Sequence, residues 1–281
     1  MYRIMNLEVI RPKIKSYEVY APNVAKNAKA GQFVILRIND TGERIPLTIA
    51  GTNLEKGSVK IIFQELGKTT MQLASLSVGD YIKDFVGPLG HPTEIKNYDT
   101  VVSVAGGIGA AGLLPVIKEL KSVGNKITTV IGARSKDLII LEEELRQQSD
   151  SIFFTTNDGT YGTKGYVTDI LKGIIDEEKI GITYAIGPVY MMKAVSEITR
   201  KKNIKTIFSL NPIMLDGIGM CGACRISIDG ETKFACVDGP EFDANSVDWE
   251  ELISRLGLFK NLENLAINKF KHDQECNYCK K

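Results

Sequence analysis

Two hydrophobic patterns divide this chain of 281 residues at about position 98. Before it, apolar residues come in short runs: Glu8-Val-Ile, Gln32-Phe-Val-Ile-Leu, Leu47-Thr-Ile-Ala and Val59-Lys-Ile-Ile-Phe. Gly, Pro, Asn and Asp separate them, so they predict strands. One barrel or sandwich is the economical way to pack such strands. After it, Val101-Val-Ser-Val-Ala is continuously apolar, as in a parallel strand buried on both faces. Leu113, Leu114, Ile117 and Leu120 follow at helical spacing. Further strands are expected at 127–131, 152–155, 183–186 and 205–209, with helices at 138–146, 165–171 and 190–200. That alternation predicts a doubly wound parallel sheet. Asp248-Trp-Glu-Glu-Leu-Ile predicts one more helix. The expected organisation is residues 1–97 as an antiparallel barrel and 98–209 as an α/β domain. Residues 210–245 form a small segment of their own, and 246–281 a helix and tail.

Composition narrows the function classes. Hydrophobic content of 43% and charged content of 25% are ordinary for a globular chain. A net charge of +1 predicts neither nucleic-acid nor membrane-surface binding. No stretch is long and apolar enough to span a bilayer. The start, Met1-Tyr-Arg-Ile-Met-Asn, lacks an apolar leader, so no signal peptide is expected. Five cysteines, three of them in one motif, fit a reducing cytoplasm better than a disulfide framework. The two histidines, His91 and His272, argue against a His-based metal site or proton relay.

The densest chemistry lies in Asp216-Gly-Ile-Gly-Met-Cys221-Gly-Ala-Cys224, with Cys236 downstream. Plant-type [2Fe–2S] proteins space their ligands C-x4-C-x2-C with a distant fourth Cys. Here Asp216 stands at the first position. Glycines suit a loop whose amides must approach cluster sulfurs. Two alternatives compete: a zinc site of three Cys and one Asp, and a structural loop with incidental cysteines. Asp216 itself is either a ligand or a capping residue beside a three-Cys site.

A second motif follows the first α/β strand. Gly107, Gly109 and Gly112 satisfy G-x-G-x-x-G between strand and helix, a dinucleotide-binding context. The alternative is a plain glycine-rich turn. Ligands of such sheets bind at the carboxyl ends of the strands. Those ends carry residues 106–109, 132–134, Asp158-Gly159 and Gly187-Pro188, which are expected on one rim. Gly67-Lys-Thr-Thr is not a P-loop, because Ile62 occupies the position that requires glycine. It reads either as a helix start able to seat a phosphate or as a simple N-cap. At the end of the chain, Cys276 and Cys279 are a redox or metal pair, or two free thiols of a tail.

In this order the motifs resemble one family. It comprises the electron-transfer subunit of dihydroorotate dehydrogenase, the small subunit of NADH-dependent ferredoxin:NADP+ oxidoreductase, and the matching sulfide dehydrogenase subunit. The resemblance implies a ferredoxin-reductase-like chain with an FAD-binding barrel, a nucleotide-binding α/β domain and a C-terminal [2Fe–2S] segment. It implies that Arg44, Pro46, Leu47 and Thr48 hold FAD, with Arg44 on the pyrophosphate and Thr48 beside flavin N5. Gly67, Thr69 and Thr70 match a G-x-G-T phosphate turn in which Thr69 replaces the second glycine. Gly106, Gly107, Gly109, Asp158, Gly187 and Pro188 match stations for NAD(H). Asp216, Cys221, Cys224 and Cys236 match the cluster ligands. The resemblance also implies a larger flavin and iron–sulfur partner subunit, in a heterodimer or higher assembly, through which ferredoxin is reached. The dihydroorotate type has Cys where Ile186 stands here, and Asp216 fits the ferredoxin:NADP+ type; both departures favour the latter. Arg134 replaces the acidic residue that would select NAD. It suits a 2′-phosphate, or else adenine stacking or a pyrophosphate. Readings of another class are a redox sensor without catalysis and a zinc-stabilised nucleotide-binding module.

Overall fold

The computed structural model describes residues 1–278. The first unit is a seven-stranded antiparallel sheet. Its strands are β1 (Tyr2–Arg11), β2 (Ile14–Tyr20), β3 (Phe33–Arg37), β4 (Arg44–Asn53), β5 (Ser58–Gln64), β6 (Tyr81–Ile82) and β7 (Asp84–Leu89). Their spatial order is β6-β1-β2-β5-β4-β3-β7. The two edge strands are joined by a single residue, Lys83, so the sheet curls into a barrel. Ile4, Tyr17, Val34, Leu36, Ile61 and Phe63 fill it. Two short helices, α1 (Pro22–Asn27) and α2 (Lys68–Ala74), decorate it. The expected runs lie within β1, β3, β4 and β5. β2 had no clear run, because its buried face includes Ser16.

The second unit alternates strand and helix. β8 (Thr100–Gly106), α3 (Gly109–Ser122), β9 (Lys126–Ala133), α4 (Glu142–Gln148), β10 (Ser151–Thr156), β11 (Thr163–Lys164), α5 (Val167–Glu177), β12 (Ile182–Ile186), α6 (Val189–Lys201) and β13 (Thr206–Ser209) follow in turn. Neighbouring strands are parallel, and Gly106 pairs with Gly132 while Ile186 pairs with Ala105. This register puts the expected strand ends on one rim.

A hairpin, β14 (Arg225–Ile228) and β15 (Glu231–Phe234), follows the cysteine loop. The next strand, β16 (Glu241–Asp243), returns to the parallel sheet, pairing antiparallel with β13. The sheet order is β11-β10-β9-β8-β12-β13-β16. One core joins all three parts: Phe33 and Ile35 of the barrel, Val104 and Phe208 of the sheet, and Cys224 and Cys236. α7 (Trp249–Gly257) is capped by Asp248, whose carboxylate accepts from the Glu251 amide at 2.9 Å. α8 (Lys260–Tyr278) ends the described chain. Cys279 and the side chain of Cys276 lie outside what is described. Among the described residues no helix is long and apolar enough to cross a membrane.

Candidate functional site

The cysteine loop leaves β13 and is shaped by left-handed glycines, Gly217, Gly219 and Gly222, at φ of 76°, 81° and 67°. Only glycine adopts these angles without steric cost. Asp216 anchors the loop: its carboxylate accepts from the Ile218 amide at 2.9 Å and the Cys221 amide at 2.6 Å. Those amides hold its pKa below the usual carboxylate range. Cys224 and Cys236 are buried, with their sulfurs 3.2 Å apart. Burial, then the contact with Cys224, pushes the Cys236 thiol up to about 12. Cys221 is exposed. Among the described residues no three His, Cys, Asp or Glu side chains converge as a ready-made metal set. The structure thus brings two of the four expected ligands together, and Asp216 has the capping contacts of the alternative reading.

The donor set nevertheless fits a thiolate-ligated metal group. Two thiolates on one tetrahedral ion, at metal–sulfur distances of about 2.3 Å, sit roughly 3.8 Å apart. Cys224 and Cys236 therefore need to open by only about half an ångström. Three soft sulfurs select iron–sulfur or zinc over hard cations.

The loop rests on the barrel. A Cβ on Gly217 would lie 2.6 Å from Cγ1 of Ile35 on β3 and 2.7 Å from Cδ1 of Leu89 on β7. Ile35 is paired with Pro46 across β3 and β4, and Phe33 with Thr48. The segment Arg44–Thr48 therefore lies on the strand next to the one against which the cysteine loop rests.

Arg44 opens β4 and is exposed. Its neighbour Glu43 fastens the strand to α2: Thr69 donates to Glu43 at 2.8 Å, and Lys68 pairs with it at 3.6 Å. Thr70 Oγ1 accepts from the Leu66 and Gly67 amides, each at 3.0 Å, and donates to the Gly67 carbonyl. Both hydroxyls of this turn are therefore engaged within the protein. Gly67 is the N-cap of α2, and a Cβ there would meet nothing within 4 Å. Pro46, Leu47 and Thr48 are half-buried along β4.

On the α/β rim the glycines are locked by their neighbours. A Cβ on Gly109 would lie 2.2 Å from the Ile186 carbonyl oxygen. One on Gly106 would lie 2.7 Å from both Met191 Sδ and Pro188 Cδ, and one on Gly187 2.7 Å from Met191 Cε. Gly107 is left-handed at φ 53°, and the space over it is open. Neither α3 nor α6, which begins after Pro188, has a side-chain cap. Uncapped amides at a helix start favour an anion, which fits a pyrophosphate there. Arg134 is exposed beyond β9, and its carbonyl accepts from the Asp158 amide at 3.2 Å. Asp158 accepts from the Thr160 hydroxyl at 2.7 Å and amide at 3.0 Å, which lowers its pKa.

One buried carboxylate at the junction of the units had no sequence signal. Glu241 accepts from the Thr93 hydroxyl at 2.6 Å and from the Tyr184 hydroxyl at 3.0 Å. These residues come from the segment after the barrel, the central sheet and β16. Burial of the carboxylate raises its pKa. A single Glu after a Gly-Pro pair carries no motif that would have marked it.

Residues 211–248 match the family model of the iron-sulfur cluster binding domain of dihydroorotate dehydrogenase B. The chain is 46% identical over 261 residues to the dihydroorotate dehydrogenase B (NAD(+)) electron transfer subunit homolog of Thermotoga maritima, covering 93% of this chain and 92% of that one. It is 32% identical over 256 residues to the corresponding electron transfer subunit of Desulforamulus reducens, covering 88% and 97%. A solved structure of an NADH-dependent reduced ferredoxin-NADP oxidoreductase, described for flavin-based electron bifurcation, superposes with a TM-score of 0.91. It is 44% identical, covering 96% of this chain and 98% of that chain. With this length and degree of identity, the chain belongs to the family of dihydroorotate dehydrogenase B electron-transfer subunits.

Proposed function

We propose that this chain is the subunit that accepts electrons from NADH and passes them, through FAD and a [2Fe–2S] cluster, to a larger flavin and iron–sulfur partner. The enzyme type favoured is NADH-dependent ferredoxin:NADP+ oxidoreductase. One arrangement supports this: β3 and β4 meet the nucleotide turn on one side and the cysteine loop on the other. A Cβ on Gly112 of α3 would lie 3.1 Å from Thr48, and one on Gly217 2.6 Å from Ile35. Three sites in one contiguous core suit electron relay, in which short, fixed separations matter and no side chain must shuttle a proton.

Bound flavin exchanges a hydride with nicotinamide and single electrons with an iron–sulfur cluster. Around it the chain supplies binding and orientation. Arg44 offers a planar guanidinium for the flavin pyrophosphate, beside the turn of Gly67, Thr69 and Thr70. Pro46 and Leu47 set the strand edge, and Thr48 would position the flavin ring. Gly106, Gly107 and Gly109 let the NAD(H) backbone approach the start of α3, with Gly187 and Pro188 closing the opposite wall. Arg134 and Asp158, on the next loops of the same rim, would meet the nucleotide. Asp216, Cys221, Cys224 and Cys236 hold the cluster, which requires Asp216 to exchange its capping amides for iron. A cytoplasmic location accords with three free thiols among the described residues.

Anaerobic purification tests the reading. Expected are FAD, iron and sulfide in the chain, together with NADH-dependent reduction of a one-electron dye. Folded, iron-free and flavin-free protein would overturn it, and zinc in place of iron would select the nucleotide-binding module. Co-purification with a partner that reduces NADP+ or ferredoxin is expected. A partner that oxidises dihydroorotate would instead establish the other branch of the family.

A further inference from the structure

The third glycine of the nucleotide turn has a neighbour that its motif does not predict. In a dinucleotide-binding turn this glycine lets the helix lie close to its own strand. Gly112 instead opens toward the barrel. A Cβ there would lie 3.1 Å from Cγ2 and 3.7 Å from Cβ of Thr48, and 3.6 Å from Cδ1 of Ile186. Gly112 is buried inside α3, and its φ is not among the left-handed ones. The helix therefore has no conformational need for glycine, which is a weaker helix former than alanine. What a methyl group would press against is the methyl of Thr48, on a strand of the other unit.

We propose that Gly112 is a positioning residue. It sets how closely Thr48 of the barrel approaches Ile186 of the nucleotide sheet, and so the separation across which hydride passes. This rests on the flavin and NAD(H) reading given above. The transfer breaks a C–H bond of the dihydronicotinamide and forms an N–H bond on the flavin, both electrons moving with the hydrogen. Such a step loses rate steeply when the reacting atoms are held a few tenths of an ångström too far apart. The contact distance is inside the range where a neighbour must give way, and Thr48 is the side chain that would move.

The test is a double-mutant cycle on the full chain with Gly112→Ala and Thr48→Ser. The serine removes the obstructing Cγ2 and keeps the hydroxyl, so it relieves the clash selectively. In cofactor-free protein, Gly112→Ala should lower the melting temperature in the wild-type background and raise or leave it unchanged in the Thr48→Ser background. In FAD-loaded protein, anaerobic single-turnover reduction by NADH should slow about tenfold in Gly112→Ala. FAD content and NADH affinity should remain at wild-type values. The same glycine change should cost about twofold or less in the serine background. Equal effects in both backgrounds would overturn the proposal, as would melting-temperature coupling without any change in rate. Should Gly112→Ala fail to fold alone, Thr48→Ser must restore folding, and failure to do so refutes the contact. If NADH does not reduce wild-type flavin at all, the functional reading falls, while the melting cycle still reports on the contact.

Discussion

The nucleotide turn and the cysteine loop are both rich in glycine, but they use it in different proportions: close packing dominates at the turn, and left-handed angles at the loop. At the turn, Gly106, Gly109 and Gly187 are hemmed in by Ile186, Pro188 and Met191, which leave no room for a Cβ. Packing finishes the backbone at these three, and Gly107 between them takes a left-handed angle. At the loop, Gly217, Gly219 and Gly222 supply left-handed angles, and the carboxylate of Asp216 holds the bend. Two of the four expected ligands are buried together, while Cys221 is exposed. The turn is shaped before any ligand arrives; the loop is shaped to be completed by one, as in sites where metal binding and local folding are coupled. Mutations should therefore act through packing at the first and through ligation at the second.

The sharpest break in that contrast is Cys236→Ser. It should abolish nearly all bound iron and sulfide, measured per chain after anaerobic purification, and eliminate the cluster's EPR signal. The variant should melt within a few degrees of cluster-free wild-type protein, because one buried thiol contributes about 1 kcal/mol. Next comes Gly109→Ala. Its methyl would strike the Ile186 carbonyl oxygen, a backbone atom that cannot rotate away, so the cost should be about 3 kcal/mol. Calorimetry should show a fall of roughly 5–10 °C, with iron content intact. Gly107→Asn nearby should cost less than about 1 kcal/mol, since the space is open and Asn tolerates positive φ.

A subtler probe is Asp216→Cys, which should still assemble a cluster, with a shifted potential and an altered EPR spectrum. An unchanged spectrum and potential would leave Asp216 as a turn cap only. The smallest effect should come from Glu241→Gln, followed by thermal melting against pH. Burial raises the Glu241 pKa in the folded state, so its stabilising contribution is complete below the unfolded value and is lost as pH rises through the folded one. The glutamine variant should lack that decline. Its stability relative to wild type should grow between acidic and neutral pH. A constant difference would mean the carboxylate titrates normally.

What the sequence disclosed followed the strength of each local signal. The strand, turn and helix from Thr100 to Ser122 were legible, because a continuous apolar run meets a glycine motif and then a helical period. The helix expected at 138–146 was misplaced. Ile139, Ile140 and Leu141 look like a helical face but are a buried plug, with Leu141 turned to φ 55°. α4 starts only at Glu142, where three glutamates favour a helix N-terminus. α5 runs past its expected end at residue 171 to Glu177, through Gly173. At the site, motif spacing located the glycines and cysteines but not their partners. The contact of Gly112 with Thr48 and the junction at Glu241 join segments remote in sequence, and no local period encodes such meetings.

The short strand β16 stitches the ligand-bearing segment into the edge of the parallel sheet. Electron carriers built as tethered modules swing between donor and acceptor; this one is wired in place, with Pro240 and Gly239 wedged against Gly90 at the barrel's exit. Its conductance is then a matter of fixed spacing and not of a moving arm. A chimera that exchanges the redox segment must also carry the splice past Asp243, or it would cut the circuit at its solder joint.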